Sequence, residues 1–278
     1  MILAAPTTGF DPTPESWIAS LQKAGYAAGN APLTPEADDA TVSSYVAAAK
    51  AAGIILAEVG AWSNPIDPDP VKASEAIDKC QKHLDLAERL GARSCVNITG
   101  SRNPVTWDAP HPDNFTRETF DLIVESTRRI VDAVKPMRTF YTLETMPWIF
   151  PSSPDEYLDL LKAIDRPEVA VHLDPVNMIN SPHRAYHNRE FIRDCFAKLG
   201  PLIKSCHAKD IILREKLTVH LDECRPGTGV LDYACFLREL SKLDRNTTLC
   251  LEHLPQEEYP EAASYVRGVA RQNGLELK

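Results

Sequence analysis

The sequence predicts an α/β fold, a single (β/α)₈ TIM barrel domain over residues 1–278. Three observations support this prediction: strand-like and helix-like segments alternate throughout, eight segments read as strands, and those strands are almost continuously apolar. Continuously apolar strands indicate a parallel sheet covered by helices, and eight βα units close a barrel. A barrel of about 250 residues commonly forms one domain, so the length of 278 residues fits.

The eight candidate strands are spread evenly along the chain. They cover residues 1–5, 25–29, 54–59, 94–98, 140–145, 169–174, 203–208 and 248–252. An open, doubly wound sheet is the alternative arrangement of such units, but no glycine-rich dinucleotide fingerprint follows any strand. The barrel is therefore favoured.

Helix starts are marked by an N-cap residue followed by proline. The pairs that we interpret in this way are Thr13-Pro14, Thr34-Pro35, Asp69-Pro70 and Ser153-Pro154. The N-cap side chain accepts a hydrogen bond from the first helical turn, and proline is tolerated there because its missing N–H needs no partner. Apolar residues then recur with a period of about 3.6, which predicts helices packed on the barrel.

Four successive strands end on a residue that binds hard metal ions: Glu144, Asp174, His207 and Glu252. A desolvated carboxylate is costly unless a partner or a metal compensates it. The carboxyl ends of barrel strands converge at one end of the barrel, so we expect these residues to share one site. Three carboxylates and an imidazole suit one divalent ion, Mn²⁺ first, with Mg²⁺, Co²⁺ or Zn²⁺ as alternatives.

Composition limits the partners of the protein. The formal net charge of −9 and the pI of about 5.4 argue against nucleic-acid binding, which needs clustered Lys and Arg. No apolar stretch reaches the roughly 20 residues of a membrane span, and no export signal is recognised, so we expect a cytoplasmic protein without a membrane partner. The 7 cysteines show no C-x-x-C pair and are expected to be free. A homo-oligomer is left open.

The chain resembles the xylose-isomerase-like barrels of the sugar phosphate isomerase/epimerase family. The resemblance covers about residues 50–275 and rests on the order Glu, Asp, His, Glu at the ends of strands five to eight. It also rests on His207-Ala-Lys-Asp210, on Arg225-Pro-Gly-Thr-Gly-Val-Leu-Asp232 and on Leu251-Glu252.

This resemblance implies that Glu144, Asp174, His207 and Glu252 bind a divalent metal, and that the substrate is a small sugar or sugar derivative. In the ketose 3-epimerase branch of the family, the two glutamates also form the acid/base pair. By resemblance, Glu144 and Glu252 are therefore the catalytic residues of a sugar isomerase or epimerase. They would abstract and return a proton beside the substrate carbonyl, through an ene-diolate.

Two positions depart from that branch. Asn177 stands where the branch has a histidine, and Leu213, followed by Arg214, stands where it has an arginine. Both positions contact substrate in the branch, so the reaction stays open. A metal-dependent keto-sugar lyase or dehydratase, acting for example on 3-keto-glycosides, is one alternative, and a non-catalytic sugar-binding barrel is another. A repair endonuclease is disfavoured, because strands three and four offer Glu58 and Asn97 in place of extra histidine ligands.

Further candidates for substrate binding follow from their proximity to the strand ends. They are Glu58, Trp148, Asn177, His183, Lys209, Arg214, His220 and Arg225. Lys209 lies two residues after His207 and is expected to face the same side, where it holds a substrate oxygen or pairs with a carboxylate. The Gly227-Thr-Gly229 stretch has two interpretations, a phosphate cradle of backbone N–H groups or a tight turn before a helix.

Overall fold

A parallel sheet lies at the centre of the molecule in a computed structural model that describes residues 1–278. The strands of the chain are β1 (Ile2–Ala4), β2 (Ala28–Gly29), β3 (Ile55–Leu56), β4 (Glu58–Gly60), β5 (Ser94–Ile98), β6 (Tyr141–Glu144), β7 (Val169–Leu173), β8 (Ile203–Ala208), β9 (Asp210–Leu213), β10 (Leu221–Cys224) and β11 (Thr248–Leu251). Nine of them form the sheet in the order β3-β2-β1-β11-β8-β7-β6-β5-β4.

The third barrel strand is divided at Ala57 into β3 and β4, which stand at the two ends of the strand order. β3 pairs with β2, and β4 pairs with β5, both in parallel. The two ends of the sheet therefore belong to one short segment of chain, and nine strand segments occupy eight barrel positions. The predicted fold class, a (β/α)₈ barrel in one domain, is confirmed.

Helices surround the barrel. They are α1 (Pro14–Ala24), α2 (Asp39–Ala52), α3 (Pro70–Leu90), α4 (Arg117–Val134), α5 (Pro154–Ile164), α6 (Pro175–Met178), α7 (Pro182–Tyr186), α8 (Asn188–Leu199), α9 (Tyr233–Leu240) and α10 (Tyr259–Gln272). None of these helices has both the length and the apolar character that crossing a membrane requires.

The predicted helix starts at Thr13, Asp69 and Ser153 are confirmed, since each side chain accepts a hydrogen bond from the first turn. The start at Thr34-Pro35 is wrong. α2 begins at Asp39, because the Asp38 carboxylate accepts a hydrogen bond of 2.7 Å from the Thr41 N–H. A stronger cap four residues downstream thus decides where this helix begins.

An antiparallel hairpin that the sequence did not predict follows β8. β9 pairs with β10 from Asp210 opposite Cys224 to Leu213 opposite Leu221. The Asp210 carboxylate lies at its base and accepts hydrogen bonds from backbone N–H groups of the following loop. The hairpin thereby rises from the same end of the barrel as the strand ends that carry the predicted ligands.

Candidate metal centre

The structure brings the four predicted ligand residues together. Glu144 ends β6, Asp174 follows β7, His207 lies near the end of β8, and Glu252 follows β11. These four strands are neighbours in the sheet and run parallel, so their carboxyl ends meet. One donor atom of each residue lies within 4.8 Å of those of the other three.

The imidazole of His207 turns its Nδ1 toward the carboxylates. Nδ1 lies 2.8 Å from Glu252 Oε1, 3.0 Å from Glu144 Oε1 and 4.0 Å from Asp174 Oδ2. Burial alone would lower the pKa of His207, but Glu252 and then Glu144 outweigh it and hold that pKa well above its ordinary value. Nδ1 is therefore the nitrogen of His207 that faces the three carboxylates.

The ammonium group of Lys209 lies among the same carboxylates. Its Nζ is 2.5 Å from Glu252 Oε1, 2.8 Å from Asp174 Oδ2, and 3.5 Å from both Glu144 Oε1 and Glu223 Oε2. Burial acts to lower the pKa of Lys209, but Asp174 and the other carboxylates outweigh burial and raise it well above its ordinary value. Lys209 thus compensates part of a buried negative charge.

The two predicted catalytic carboxyls have unlike surroundings. Burial raises the pKa of Glu144, against the opposing effects of His207 and Lys209. Burial also acts to raise the pKa of Glu252, but His207 and Lys209 outweigh it, so that pKa is lowered. Two carboxyls whose pKa values are pushed apart are suited to opposite roles in proton transfer.

Unpartnered polar atoms indicate what the site can hold. Asp174 Oδ2 and Glu252 Oε1 are buried and lack an aligned hydrogen-bond donor, although both lie within ion-pair distance of Lys209. Buried polar atoms in native proteins are nearly always hydrogen-bonded. Convergent carboxylate oxygens beside an imidazole nitrogen are a donor set that a divalent cation completes, so the residues fit a divalent metal.

Asp174 and Asn177 are held by the short helix α6. Asp174 Oδ1 accepts hydrogen bonds from the N–H groups of Val176, at 2.9 Å, and Asn177, at 3.2 Å, which leaves Oδ2 free to face the site. Asn177 Nδ2 donates to Glu144 Oε1 at 3.1 Å and to the Thr145 carbonyl at 2.9 Å. Asn177 therefore orients a predicted ligand.

Glu58 lies behind His207. Its Oε1 is 3.7 Å from His207 Nε2, and its Oε2, which has no hydrogen-bond partner, is 3.9 Å from His172 Nδ1. Burial, and then His207, lower the pKa of His172 well below its ordinary value, which favours the neutral form of this ring. Binding of a cation at His207 Nδ1 leaves the ring proton on Nε2, on the side where Glu58 is the nearest carboxylate.

Comparison with known proteins identifies the family. The family model described as Xylose isomerase-like TIM barrel matches residues 18–269. The chain belongs to this family. None of the curated proteins matches the chain.

Solved structures share this family's fold. D-psicose 3-epimerase with D-tagatose, from Clostridium cellulolyticum H10, superposes with a TM-score of 0.69 at 16% identity, over 99% of this chain and 100% of that chain. A probable 3-DHS dehydratase of petrobactin synthesis from Bacillus anthracis gives 0.72 at 14% identity, over 97% and 98%. A xylose isomerase-like TIM barrel protein from Mycobacterium smegmatis, in complex with magnesium, gives 0.68 at 15% identity, over 97% and 95%. Identities this low establish the fold alone.

A cavity with a volume of about 1020 Å³ opens above the strand ends, the place where barrel enzymes have their active sites. Glu144, Lys209 and Glu252 line its base. Asp174 lies 2.8 Å from Lys209 and His207 lies 3.0 Å from Glu144, although neither of the two lines the cavity itself. We call these five residues the floor. We call the three tryptophans that line it the tryptophan wall: Trp62, Trp107 and Trp148. Glu58 and Asn177, both predicted to bind substrate, also line the cavity.

Four other predicted substrate residues do not line this cavity. His183 is exposed on α7, and Arg214, on the hairpin, pairs with Asp222 at 2.9 Å. Arg225 pairs with two glutamates. His220 directly precedes β10, and its carbonyl accepts a hydrogen bond from the Arg214 N–H. Their contact with substrate stays a prediction.

Glu223 and Trp107 also line the cavity and were not predicted from the sequence. Glu223, on β10, lies 3.5 Å from Lys209 Nζ and 3.2 Å from His253 Nδ1. The segment Leu221–Cys224 has too few apolar residues to read as a strand. Trp107 belongs to the loop before α4 and carries no local signal beyond its residue type.

Proposed function

We propose that this protein is a divalent-metal-dependent isomerase or epimerase of a sugar or sugar derivative, which acts by removing a proton from the carbon beside the carbonyl. One observation carries the proposal: the carboxylates of Glu144 and Glu252 both lie within 3.0 Å of His207 Nδ1 at the base of a large cavity. β6 and β11 lie on either side of the pair β7 and β8, so the two carboxylates approach from different sides.

The metal would be held by Glu144, Asp174, His207 and Glu252. Mn²⁺ is our first choice and Mg²⁺, Co²⁺ or Zn²⁺ are alternatives, because the set is rich in oxygen but includes one imidazole. When bound, the ion supplies Lewis-acid polarisation of the substrate carbonyl, which makes the neighbouring C–H more acidic.

The chain's own residues move the protons. The Glu252 carboxylate, with the lowered pKa, accepts the proton from the carbon. The Glu144 carboxyl, with the raised pKa, returns a proton from the other side, and Asn177 holds it in position through the 3.1 Å hydrogen bond. Lys209 Nζ donates to a substrate oxygen in the ene-diolate. Return of the proton on the opposite face gives epimerisation.

A keto-sugar lyase or dehydratase is the second candidate, and the position of Lys209 favours it. Its Nζ lies 2.5 Å from Glu252 Oε1, so a proton donor stands beside the proposed base. After removal of the same proton, that ammonium group is placed to protonate a departing β-oxygen. Cytoplasmic location, self-association and the absence of nucleic-acid partners stay predictions from the sequence.

Incubation in D₂O with a panel of ketoses and 3-keto-glycosides separates the candidates. Carbon-bound deuterium in a recovered, intact sugar supports the isomerase or epimerase, and an unsaturated product supports the lyase. Glu252→Gln is expected to abolish either result, while Glu257→Gln, an exposed glutamate outside the cavity, serves as the matched control. If the wild type exchanges nothing and Glu144→Gln and Glu252→Gln still bind sugar, the enzyme proposal fails.

A further inference from the structure

The cations that line the cavity are already engaged by the chain itself. Lys209 Nζ has four carboxylates within 3.5 Å, and His253 Nδ1 lies 3.2 Å from Glu223 Oε1. Arg225, just outside the cavity, pairs with Glu258 at 3.3 Å and with a second glutamate at 3.1 Å. The cavity therefore offers no uncompensated positive side chain to an anionic substrate group.

The loop that could have cradled a phosphate binds an internal carboxylate instead. The N–H groups of Gly227 and Gly229 donate to Asp210 Oδ2 at 2.9 and 3.0 Å, and that of Leu231 donates to Asp210 Oδ1 at 2.9 Å. A Cβ at Gly229 would collide with the Asp210 carboxylate, so glycine permits this approach. The tight-turn interpretation of Gly227-Thr-Gly229 is thus the one that this geometry supports.

The cavity is larger and more apolar than a simple sugar requires. Of its 27 lining residues 15 are hydrophobic, and its volume is about 1020 Å³. A hexose, with about a dozen non-hydrogen atoms, is smaller than the drug-sized ligands that fill sites of roughly 300–1,000 Å³. The floor supplies the polar contacts for a sugar, so the remaining apolar surface is available to another part of the substrate.

Two residues of the tryptophan wall, Trp62 and Trp148, are held in place by specific contacts. Trp148 Nε1 donates to the Asp108 carbonyl at 2.6 Å. Trp62 has a φ of 29°, which is unfavourable for a bulky residue, and a Cβ at Gly60 would collide with its indole. Its ring centroid lies 6.3 Å from that of His207, so the wall begins directly beside the floor.

We propose that the substrate is an uncharged sugar derivative with a bulky, aromatic-sized apolar substituent, bound with its sugar on the floor and the substituent against Trp107 and Trp148. This inference rests on the proposed function for the sugar end. The aromatic faces provide large contact areas for an apolar group, and the engaged cations disfavour a phosphate or carboxylate.

Binding to the metal-loaded protein tests the proposal through matched ligands. The probes are the methyl and phenyl glycosides, in both anomers, of glucose and galactose, together with glucose and glucose 6-phosphate, measured by titration calorimetry. We expect the best phenyl glycoside to bind at least about tenfold more tightly than its methyl counterpart, because the ring buries apolar surface. Glucose 6-phosphate should bind no more tightly than glucose.

Trp107→Ala should remove the advantage of the phenyl glycoside and leave methyl glycoside binding within about twofold. Val105→Ala is the matched control, since Val105 lies in the same loop, is 91% exposed and does not line the cavity. The proposal is overturned if no phenyl glycoside gains affinity, if the phosphate binds more tightly, or if Trp107→Ala keeps the advantage. Deuterium exchange into a free sugar without any phenyl advantage would overturn this inference alone, whereas a phenyl advantage without exchange would count against the proposed function.

Discussion

The floor and the tryptophan wall of the cavity are positioned by different parts of the fold. The floor residues lie on or directly after parallel strands, and their side chains are held by one another, as in the 2.8 Å contact between Lys209 and Asp174. The wall residues lie in loops and are partly open, with Trp62 36% and Trp107 41% exposed. In barrel enzymes, catalytic residues at the ends of rigid strands are commonly combined with loops that vary between proteins. Changes in the floor should therefore alter turnover and metal binding, and changes in the wall should alter substrate affinity.

The largest effect is expected from the two floor glutamates. Glu144→Gln and Glu252→Gln each remove a proposed proton-transfer group while they keep its size, so kcat should fall about 10²- to 10⁴-fold. Turnover of the substrate found in the D₂O panel measures the effect, with metal content determined on the same samples. Glu257→Gln is again the control and should keep the kcat of the wild type. A kcat close to wild type in the two floor variants would mean that these glutamates do not transfer protons.

The next largest effect concerns stability. Lys209→Met removes a buried ammonium group from four carboxylates, which should lower the free energy of unfolding of chelator-treated protein by roughly 3 kcal/mol. A divalent cation should then restore more stability to the variant than to the wild type, because it compensates the same charge. Urea unfolding with and without Mn²⁺ measures both quantities.

Lys216→Met is the matched control for this variant, since Lys216 is exposed at the tip of the hairpin. An equal loss of stability in both variants would mean that the lysine side chain, and not its position among the carboxylates, is responsible. If Mn²⁺ stabilises Lys209→Met no more than the wild type, the carboxylates do not share one cation.

The same contrast explains how much the sequence could predict. The floor was predictable because each of its ligands interrupts or ends an apolar run, as Glu144 does after Leu143 and Glu252 after Leu251. The apolar run identifies the strand, and the ligand residue after it marks the carboxyl end of that strand. The convergence of these ends then follows from the barrel alone.

The wall and the hairpin were less predictable because they depend on contacts between distant residues. Asp210 fills the loop at Gly227 and Gly229, 17 and 19 residues further on, and no local pattern reports this. Glu223 reaches the floor only because β10 pairs with β9. Likewise, Thr34-Pro35 has the local pattern of a helix start, but α2 begins after Asp38, whose carboxylate accepts a hydrogen bond from the Thr41 N–H. The sequence pattern alone does not show which of the two caps is used.

A smaller effect is expected behind the floor, at Glu58. Glu58→Gln removes the carboxylate nearest to His207 Nε2 and should weaken Mn²⁺ binding by about 10- to 100-fold, because such carboxylates fix the orientation of a ligand histidine. Competition with a fluorescent chelator measures the affinity without reference to turnover. Unchanged metal affinity together with weaker sugar binding would support the substrate role predicted for Glu58 from the sequence.

A comparable test of the floor uses pH. The pKa of His207 is raised well above its ordinary value of 6.5, and only the deprotonated Nδ1 can bind a cation. Mn²⁺ affinity should therefore increase with pH, by about tenfold per unit while one proton is displaced, and level off above that pKa. Chelator competition at several pH values checks this, and an affinity independent of pH between about 6 and 9 would remove His207 from the ligand set.

The smallest effect is expected in the wall. Trp148→Phe keeps an aromatic ring but loses the indole N–H that donates to the Asp108 carbonyl, so the free energy of unfolding should fall by about 1 kcal/mol. Because we propose that the wall contacts the substrate without taking part in proton transfer, KM should rise by a larger factor than kcat falls. Thermal unfolding and steady-state kinetics measure the two effects. A loss of kcat as large as that of Glu252→Gln would show that the loops also position the floor. The division between a floor for turnover and a wall for substrate affinity would then not hold for this barrel.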